Sequence, residues 1–206
     1  MTTDEKDRFE TFVSRETYQP LRTYSESIRK WTATINLIAR RDATDEAIWR
    51  RHVLDAAQIV PLIPPSVTYA IDLGSGAGLP GIVVAIERPD IHVTMIESDR
   101  RKAAFLQTMV ATLGLRATVV AARIEAAVVA PAALVMARAL APLPDLLAYS
   151  APLLDNDGVC IFMKGRHADA EIRVAQADWR MNVEYFSSRT EADAVILRIS
   201  GLSRAR

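Results

Sequence analysis

The sequence has little of several features that define specialised classes of protein. Cys160 is the one cysteine among 206 residues, so neither an intrachain disulfide nor a cysteine-rich metal cluster can form. No apolar run is long enough to span a bilayer. The first ten residues, MTTDEKDRFE, are charged throughout, unlike a secretory signal. We therefore expect a cytoplasmic protein with no membrane partner and no metal site.

An excess of either charge is also missing. The chain has 25 basic and 25 acidic residues, whereas general nucleic-acid binders are usually basic overall. A nucleic-acid partner would require the basic residues to be concentrated on one face, and we expect no DNA partner. Half of the residues are apolar, which is typical of a globular protein with a sizeable core.

The N-terminal third of the chain has a helical pattern, from about residue 4 to residue 62. Apolar residues recur there in steps of three and four, which predicts one buried helix face: Leu21, Tyr24, Ile28, Trp31, Ile35 and Ile38. Pro20 stands where a helix can begin, and a further helix is predicted from Thr44 to Val60. We predict a helical extension over residues 1–65 and a second unit over residues 66–206.

From Val67 onward, short apolar runs alternate with helical stretches. This pattern predicts an α/β fold whose mainly parallel sheet is covered on both faces. The helix after the second run is predicted from Asp99 to Leu113, with Gly114 as its C-terminal cap. The seven predicted strands are VTYAIDL, HVTMIES, ATVVAA, ALVMARAL, GVCIFMKG, MNVEYFSS and AVILRIS. The last two are joined by a short polar link and predict an antiparallel hairpin.

The most informative segment is AIDLGSGAGLPGI, residues 70–82. A strand ends at Leu73, glycines occupy positions 74, 76, 78 and 81, and a helix follows. Glycine permits positive φ and a close approach of a ligand to the backbone. The carboxyl end of the first strand of an α/β sheet is where nucleotide-like ligands bind. A tight turn without a ligand would not require so many glycines.

The spacing of this segment distinguishes between ligands. A dinucleotide site requires G-x-G-x-x-G and a phosphate loop requires G-x-x-x-x-G-K-[ST]; neither pattern is present. The segment instead reads D-x-G-x-G-x-G from Asp72, which resembles the class I S-adenosylmethionine-dependent methyltransferases. That cofactor carries an ammonium and a sulfonium but no phosphate, so an acid beside the loop is electrostatically reasonable. We therefore predict that Asp72, Gly74 and Gly76 belong to a cofactor site.

Glu97 ends the second strand, 23 residues after Gly74. A carboxylate at this position can accept hydrogen bonds from both ribose hydroxyls of a nucleoside; the alternative is a solvated charge at a strand end. Asp99 is a rival for the role, but it is better placed as the N-cap of the next helix.

Nearly the whole chain resembles the guanine-N7 methyltransferases of 16S ribosomal RNA, once called glucose-inhibited division protein B. The similarity is carried by an ordered set of short motifs: W-x-x-x-x-N-L from Trp31, R-D at Arg41, R-H-x-x-D from Arg51, G-L-P-G from Gly78, R-x-E from Arg123, A-R-A from Ala137 and K-G at Lys164. The glycine loop alone is moderately specific, whereas the ordered set is highly specific.

The resemblance implies a Rossmann-like methyltransferase fold with a mixed seven-stranded sheet. It implies S-adenosylmethionine as cofactor, with S-adenosylhomocysteine as product, and 16S ribosomal RNA or the small-subunit particle as partner. It also places five residues at the cofactor: Gly74, Leu79, Ile124, Glu125 and Arg138. For Arg138 two interpretations stay open: a structural ion pair at the sheet edge, or a contact with the cofactor or with guanine O6.

The residues fit methylation at N7 better than other nucleic-acid methylations. Methylation of an exocyclic amine uses a D/N-P-P-Y/F/W motif, where this chain has ARALAPLPD. Methylation at carbon 5 of a pyrimidine needs a cysteine nucleophile, and Cys160 lies within the apolar run VCIFM. Guanine N7 has a lone pair and no proton, so no general base is required. His52 and Asp55 are three residues apart on a predicted helix and could pair. We expect them to be structural, holding the N-terminal helices against the catalytic unit.

RNA binding requires basic residues that neutralise phosphates. The candidates, which could equally form a solvated face, are Arg40, Arg41, Arg50, Arg51, Arg100, Arg101, Lys102, Lys164 and Arg166. Arg100 to Lys102 are unusual because cations are disfavoured in the first turn of a helix. Two other functions remain possible: a methyltransferase for a small molecule or protein, and a non-catalytic RNA-binding protein with a degenerate pocket.

Overall fold

The computed structural model describes residues 13–205, so residues 4–12 of the predicted helical pattern lie outside the described part. The first helix, α1, spans Arg15–Thr32, and the Ser14 side chain caps it by accepting a hydrogen bond from the Thr17 backbone N–H. The expectation that a helix begins at Pro20 is wrong, because Ser14 caps the helix earlier and Pro20 lies inside it. The buried face of α1 includes Leu21, Tyr24 and Ile28, as the periodicity predicted. Ile35 and Ile38, predicted on the same helix face, are buried but lie beyond the end of the helix at Thr32.

The second predicted helix is present but irregular. Thr44 caps α2 (Asp45–Ile48), a π-helical segment follows (Trp49–Leu54), and α3 (Asp55–Ala57) completes it. Insertions of this type are often found at functional sites. Here the π-helical segment contains Arg51 and His52, and Asp55 follows it directly.

All seven predicted strands are present in one sheet. They are β1 (Tyr69–Leu73), β2 (His92–Ile96), β3 (Ala117–Val120), β4 (Ala132–Arg138), β5 (Leu154–Lys164), β6 (Trp179–Ser187) and β7 (Val195–Arg204). The order across the sheet is β3-β2-β1-β4-β5-β7-β6. β1 to β5 are parallel, whereas β7 is antiparallel to both β5 and β6. The predicted mixed sheet and the terminal hairpin are therefore confirmed.

Helices cover both faces of the sheet. The remaining helices are α4 (Gly81–Glu87), α5 (Arg100–Leu113), α6 (Leu143–Ser150) and α7 (Ala168–Ala175). One hydrophobic cluster joins α1, α4 and α5 to one face, and a second joins α6 and α7 to the other. Asp99 caps α5, and Gly114 follows it in the left-handed conformation, as predicted.

The fold places the predicted site residues at one edge of the sheet. Because β1 to β5 are parallel, their carboxyl ends lie on the same side, which is where ligands bind in α/β folds. The N-terminal helices belong to the cluster on one face of the sheet, and the Tyr24 hydroxyl reaches the Ala77 carbonyl after β1, so they extend to this edge. Within residues 13–205 no helix is both long enough and apolar enough to cross a membrane.

Candidate functional site

The loop after β1 has the backbone conformation that its glycines predicted. Gly74, Gly76 and Gly78 all have positive φ, at 59°, 58° and 90°. A Cβ added at Gly74 would lie 2.5 Å from the Leu140 Cδ1 atom, whereas one at Gly76 would meet nothing closer than the Gly74 carbonyl at 3.8 Å. The backbone at Gly76 therefore borders open space, which suits a ligand that approaches the main chain closely.

Three hydrogen bonds from distant segments hold this loop. The Gly76 N–H donates to Glu97 Oε2 at 2.7 Å, and the Gly81 N–H donates to Asp72 Oδ2 at 3.0 Å. The Tyr24 hydroxyl, from α1, donates to the Ala77 carbonyl at 2.6 Å. The conformation of the loop is thus fixed by β1, by β2 and by the N-terminal extension.

Asp72 is fully buried, and its Oδ1 atom has no hydrogen-bond partner among the described residues. Burial raises the pKa of this carboxyl to about 7, while hydrogen bonds from Ser75 and Gly81 oppose the rise. The expected role of Asp72 beside the loop fits its position. Its visible hydrogen bond is with the loop backbone, so Asp72 supports the glycine loop, and contact with the cofactor stays a prediction.

Glu97 is also largely buried, with 7% of its surface exposed. Its second oxygen, Oε1, accepts a hydrogen bond from the Asp99 backbone N–H at 2.7 Å. Both carboxylate oxygens therefore already accept one backbone hydrogen bond. Each oxygen keeps a further lone pair, so contact with ribose hydroxyls stays a prediction.

The other expected cofactor residues differ in accessibility. Leu79 is buried in the core cluster, with 4% exposed, so little of its side chain can reach a ligand. Ile124 and Glu125 lie in a 3₁₀ turn (Ile124–Ala126) that follows β3. Ile124 is half-buried and Glu125 is exposed. Their location near the carboxyl edge agrees with the expected cofactor contacts, which remain predictions.

Arg138 ends β4 and bridges the sheet to the N-terminal helices. Its guanidinium donates to Asp55 Oδ2 at 3.3 Å and lies 3.2 Å from His52 Nδ1. His52 and Asp55, which are close enough in sequence to pair with each other, both contact Arg138 instead. The structural ion pair considered for Arg138 is present, with four-fifths of the Arg138 side chain buried.

The neighbourhood of Arg138 keeps His52 neutral. Burial lowers its pKa to about 4, and the positive charge of Arg138 acts in the same direction. Because an arginine can only donate, Nδ1 accepts and the ring proton sits on Nε2, which has no partner among the described residues. The residue after Arg138, Ala139, adopts a positive φ of 51°, a conformation that is strained for a non-glycine residue and often found at functional sites.

The same network reaches the link between β6 and β7. The Thr190 hydroxyl and the Gln58 amide both donate to Asp55 Oδ1. Gln58 also donates to the Ser188 hydroxyl at 3.1 Å and accepts from the Arg189 N–H at 2.9 Å. The β6–β7 link is thereby fastened to the N-terminal helices.

These segments enclose a cavity of about 380 Å³ at the carboxyl ends of β4 and β5. Its size falls in the range of small-ligand pockets, roughly 300–1,000 Å³. Among the residues that the structure describes, those that line it come from the N-terminal helical region, the ends of β4 and β5, the turn after β5, α7, the β6–β7 link and the start of β7, and not from the glycine loop. The carboxyl edge thus offers two neighbouring regions, the glycine loop and this cavity.

Most of the predicted RNA-binding residues lie on the surface. Arg40, Arg41, Arg50, Arg100, Arg101 and Arg166 are exposed, and Lys102 is half-buried. Arg51 is half-exposed and pairs with Asp42 at 2.8 Å. Lys164 departs from the expectation of a phosphate contact, because its side chain is 9% exposed and its ammonium pairs with Glu171 at 2.6 Å.

Sequence reasoning missed three contributors to this region. The helical periodicity placed Tyr24 in the core, but nothing in it indicated that the hydroxyl would reach Ala77. Glu171 lies on α7, whose bounds were not predicted, and Thr190 lies in a link described only as polar. A long-range hydrogen bond has no local sequence pattern, so only the three-dimensional arrangement reveals these residues.

Comparison with known proteins identifies the family. The family model for GidB, described as rRNA small subunit methyltransferase G, matches residues 17–195. The chain belongs to this family. It is 55% identical, over 97% of its length and 92% of the relative, to the ribosomal RNA small subunit methyltransferase G of Acidiphilium cryptum.

Solved structures are similar in fold only. A ribosomal protein L11 methylase from Lactobacillus delbrueckii matches with a TM-score of 0.59 at 18% identity, covering 76% of this chain and 79% of that one. The glycopeptide N-methyltransferase MtfA, solved with S-adenosylmethionine, matches with a TM-score of 0.59 at 12% identity, covering 72% and 93%. The predicted class I methyltransferase fold is therefore confirmed.

The Tyr24 hydrogen bond yields a first testable prediction. Replacing Tyr24 with phenylalanine removes the hydroxyl that holds the Ala77 carbonyl and leaves the ring in the core. We expect S-adenosylmethionine to bind the Tyr24→Phe variant about fivefold more weakly by titration calorimetry, since a buried hydrogen bond contributes about 1 kcal/mol.

Tyr185→Phe is the matched control, because Tyr185 lies on β6 with half of its surface exposed. Wild-type affinity in Tyr24→Phe, together with an unchanged thermal midpoint, would show that the loop holds its shape without α1.

Proposed function

We propose that the protein transfers a methyl group from S-adenosylmethionine to N7 of a guanine in 16S ribosomal RNA. The observation that carries this proposal is membership of the rRNA small subunit methyltransferase G family over residues 17–195. The glycine loop and the adjoining cavity at one sheet edge support it. A ribosomal substrate would also place the enzyme in the cytoplasm.

The residues after β1 and β2 suit S-adenosylmethionine. Open space borders the Gly76 backbone, and the carboxylate of Glu97 lies within hydrogen-bond distance of that backbone. Gly74, Gly76, Glu97, Ile124 and Glu125 would hold the cofactor, with Asp72 and Leu79 supporting the loop from beneath. When bound, the cofactor supplies an electrophilic methyl group on a sulfonium.

The chain's own task is orientation. Guanine N7 presents an in-plane lone pair without a proton, so no side chain needs to remove one. Cys160 is excluded as a nucleophile, because it is fully buried and burial raises its pKa to about 12. Catalysis by this chain then consists of fixing the base near the glycine loop and excluding water.

Arg138 is well placed to contribute to this orientation. It lines the cavity at the end of β4, the strand next to β1. Asp55 and His52 engage its two terminal nitrogens, but a guanidinium has five N–H donors. A remaining donor can reach guanine O6 and leave N7 free to react. The ion pair thus positions the guanidinium without using up its donors.

The exposed basic residues would bind the RNA backbone. Arg100, Arg101 and Lys102 begin α5, close behind Glu97 at the end of β2, so they border the cofactor region. Asp99 accepts hydrogen bonds from the backbone N–H groups of Arg101 and Lys102, which offsets the unfavourable effect of cations in the first turn. A phosphate partner would explain why three cations occupy this turn.

The product tests the proposed function. Purified protein, S-adenosylmethionine with a labelled methyl group and small ribosomal subunits from cells that lack the gene should yield 7-methylguanosine in 16S RNA. Nucleoside digestion followed by mass spectrometry against standards identifies it. N6-methyladenosine, 5-methylcytidine, or label confined to protein would contradict the proposal.

The α5 surface gives a second prediction. Changing Arg100, Arg101 and Lys102 to alanine should weaken binding to small subunits. It should also reduce the slope of log affinity against log salt by about one for each phosphate that is no longer neutralised. Cofactor affinity should stay the same. A variant in which Arg29, Arg173 and Arg180 are changed to alanine removes the same total charge and is the control. Equal effects of both variants would mean that the α5 cations act only through net charge.

A further inference from the structure

Lys164 and Glu171 form a nearly buried ion pair in the wall of the cavity. Lys164 is the last residue of β5. Its ammonium nitrogen lies 2.6 Å from Glu171 Oε2, and it donates a hydrogen bond to the Ala141 carbonyl at 2.9 Å. The Lys164 and Glu171 side chains are 9% and 23% exposed. The Leu143 N–H donates a hydrogen bond to the same Glu171 Oε2 atom at 2.7 Å.

Each member of this ion pair keeps a hydrogen-bonding group that is not used within the described residues. Glu171 Oε2 accepts the hydrogen bond from Leu143 and lies against the Lys164 ammonium, while Oε1 takes no hydrogen bond from any described residue. The Lys164 ammonium has three N–H donors; within residues 13–205 the Ala141 carbonyl takes one, and the ion pair with Glu171 engages no more than one other. One donor and one acceptor are therefore available side by side, and both residues line the cavity. An ion pair with only a structural role would not need to line a small-ligand pocket.

We infer that Lys164 and Glu171 together recognise the Watson–Crick edge of the target guanine, an inference that rests on the proposed function. Guanine presents an acceptor, O6, next to a donor, N1–H. The Lys164 ammonium donates to O6, and Glu171 Oε1 accepts from N1–H. A carboxylate next to an ammonium is the complement of this edge.

The sheet order agrees with this orientation. The strands lie in the order β1, β4, β5, and the Cα partner of Arg138 on β5 is Met163, the residue before Lys164. Along the edge of guanine the atoms follow the order N7, O6, N1. With N1 at Glu171, O6 lies between Lys164 and Arg138, and N7 faces the β1 side, where the glycine loop lies.

The same arrangement rejects adenine. Adenine presents a donor, the 6-amino group, where guanine has O6, and an acceptor, N1, where guanine has N1–H. The amino group would face the Lys164 ammonium, and N1 would face the Glu171 carboxylate. Mismatched hydrogen-bonding groups in a buried site are costly, since neither partner is satisfied. The pair therefore makes the cavity selective for guanine.

Binding of nucleotides to the wild-type protein tests the inference without any substitution. Isotope-labelled protein saturated with S-adenosylhomocysteine is titrated with GMP or AMP and observed by NMR. GMP should shift the amide signals of Leu143 and Gly165, which lie beside the pair. Its half-saturating concentration should be at least tenfold lower than that of AMP. Equal shifts from both nucleotides, or none from either, would overturn the inference.

A substitution at Glu171 adds a second readout. In Glu171→Gln the single amide oxygen is needed by Leu143 and Lys164, so an NH₂ donor replaces the acceptor that faces N1–H. We expect the preference for GMP over AMP to disappear and kcat/KM on small subunits to fall by about tenfold to a hundredfold. Asp169→Asn is the matched control, because it removes an exposed carboxylate from the same helix; both values should stay within twofold of wild type.

The outcomes separate this inference from the proposed function. If wild-type protein produces 7-methylguanosine but Glu171→Gln keeps wild-type selectivity and rate, the pair is structural and only the inference fails. If wild-type protein methylates no guanine, the proposed function itself fails. Should Glu171→Gln not fold, as judged by its thermal midpoint, the comparison of GMP with AMP on wild-type protein decides alone.

Discussion

The arrangement of the site depends on the ion pair of Arg138, a positive charge at the end of the buried strand β4. β4 is buried from Leu134 to Ala137 and ends in Arg138, whose guanidinium would be costly to desolvate without a partner. Asp55 supplies the opposite charge from the N-terminal helices. Because Asp55 also accepts from Gln58 and Thr190, three separate parts of the chain meet at this ion pair and enclose the cavity.

The N-terminal helices thus contribute to both halves of the site. Tyr24 on α1 holds the glycine loop, while Asp55 and His52 hold Arg138. Two groups of the site have strongly shifted pKa values. The pKa of Asp72 is raised to about 7, so its contribution to the stability of the folded protein decreases as pH rises from about 4 to 7. The pKa of His52 is lowered to about 4, so its contribution decreases as pH falls from about 6.5 to 4. Their contributions therefore oppose each other across this range.

Much of the fold could be predicted from the sequence, because it is encoded locally. Alternating apolar runs predicted all seven strands, and Asp99 and Gly114 predicted the ends of α5. The glycine loop and Glu97 could be placed at one edge because parallel strands end together. A helix between the fifth and sixth strands was expected from this alternation, but the bounds of α7 were not. The position of Pro20 suggested a helix start, although Ser14 provides the earlier and better cap.

The site itself could be predicted only in part. A pattern of residues shows which side chains end a strand, but not which distant group each one meets. Arg138 was expected at the sheet edge, yet its partners Asp55 and His52 lie more than 80 positions away. Lys164 was expected on the surface, but Glu171 and the Ala141 carbonyl keep it within the cavity wall. Such pairings depend on tertiary packing, which brings together residues that share no local motif.

We propose that Arg138 is a positioning group held in place by its ion pair with Asp55, and not only a structural tie. The most direct test compares turnover on small subunits with the thermal midpoint for Arg138→Ala and Arg138→Lys. We predict that Arg138→Ala lowers turnover at least a hundredfold but stays folded. Arg138→Lys should restore little activity, because the ammonium lacks the planar fork. Near-normal methylation by Arg138→Lys, or an unfolded Arg138→Ala protein, would show that Arg138 has only a structural role.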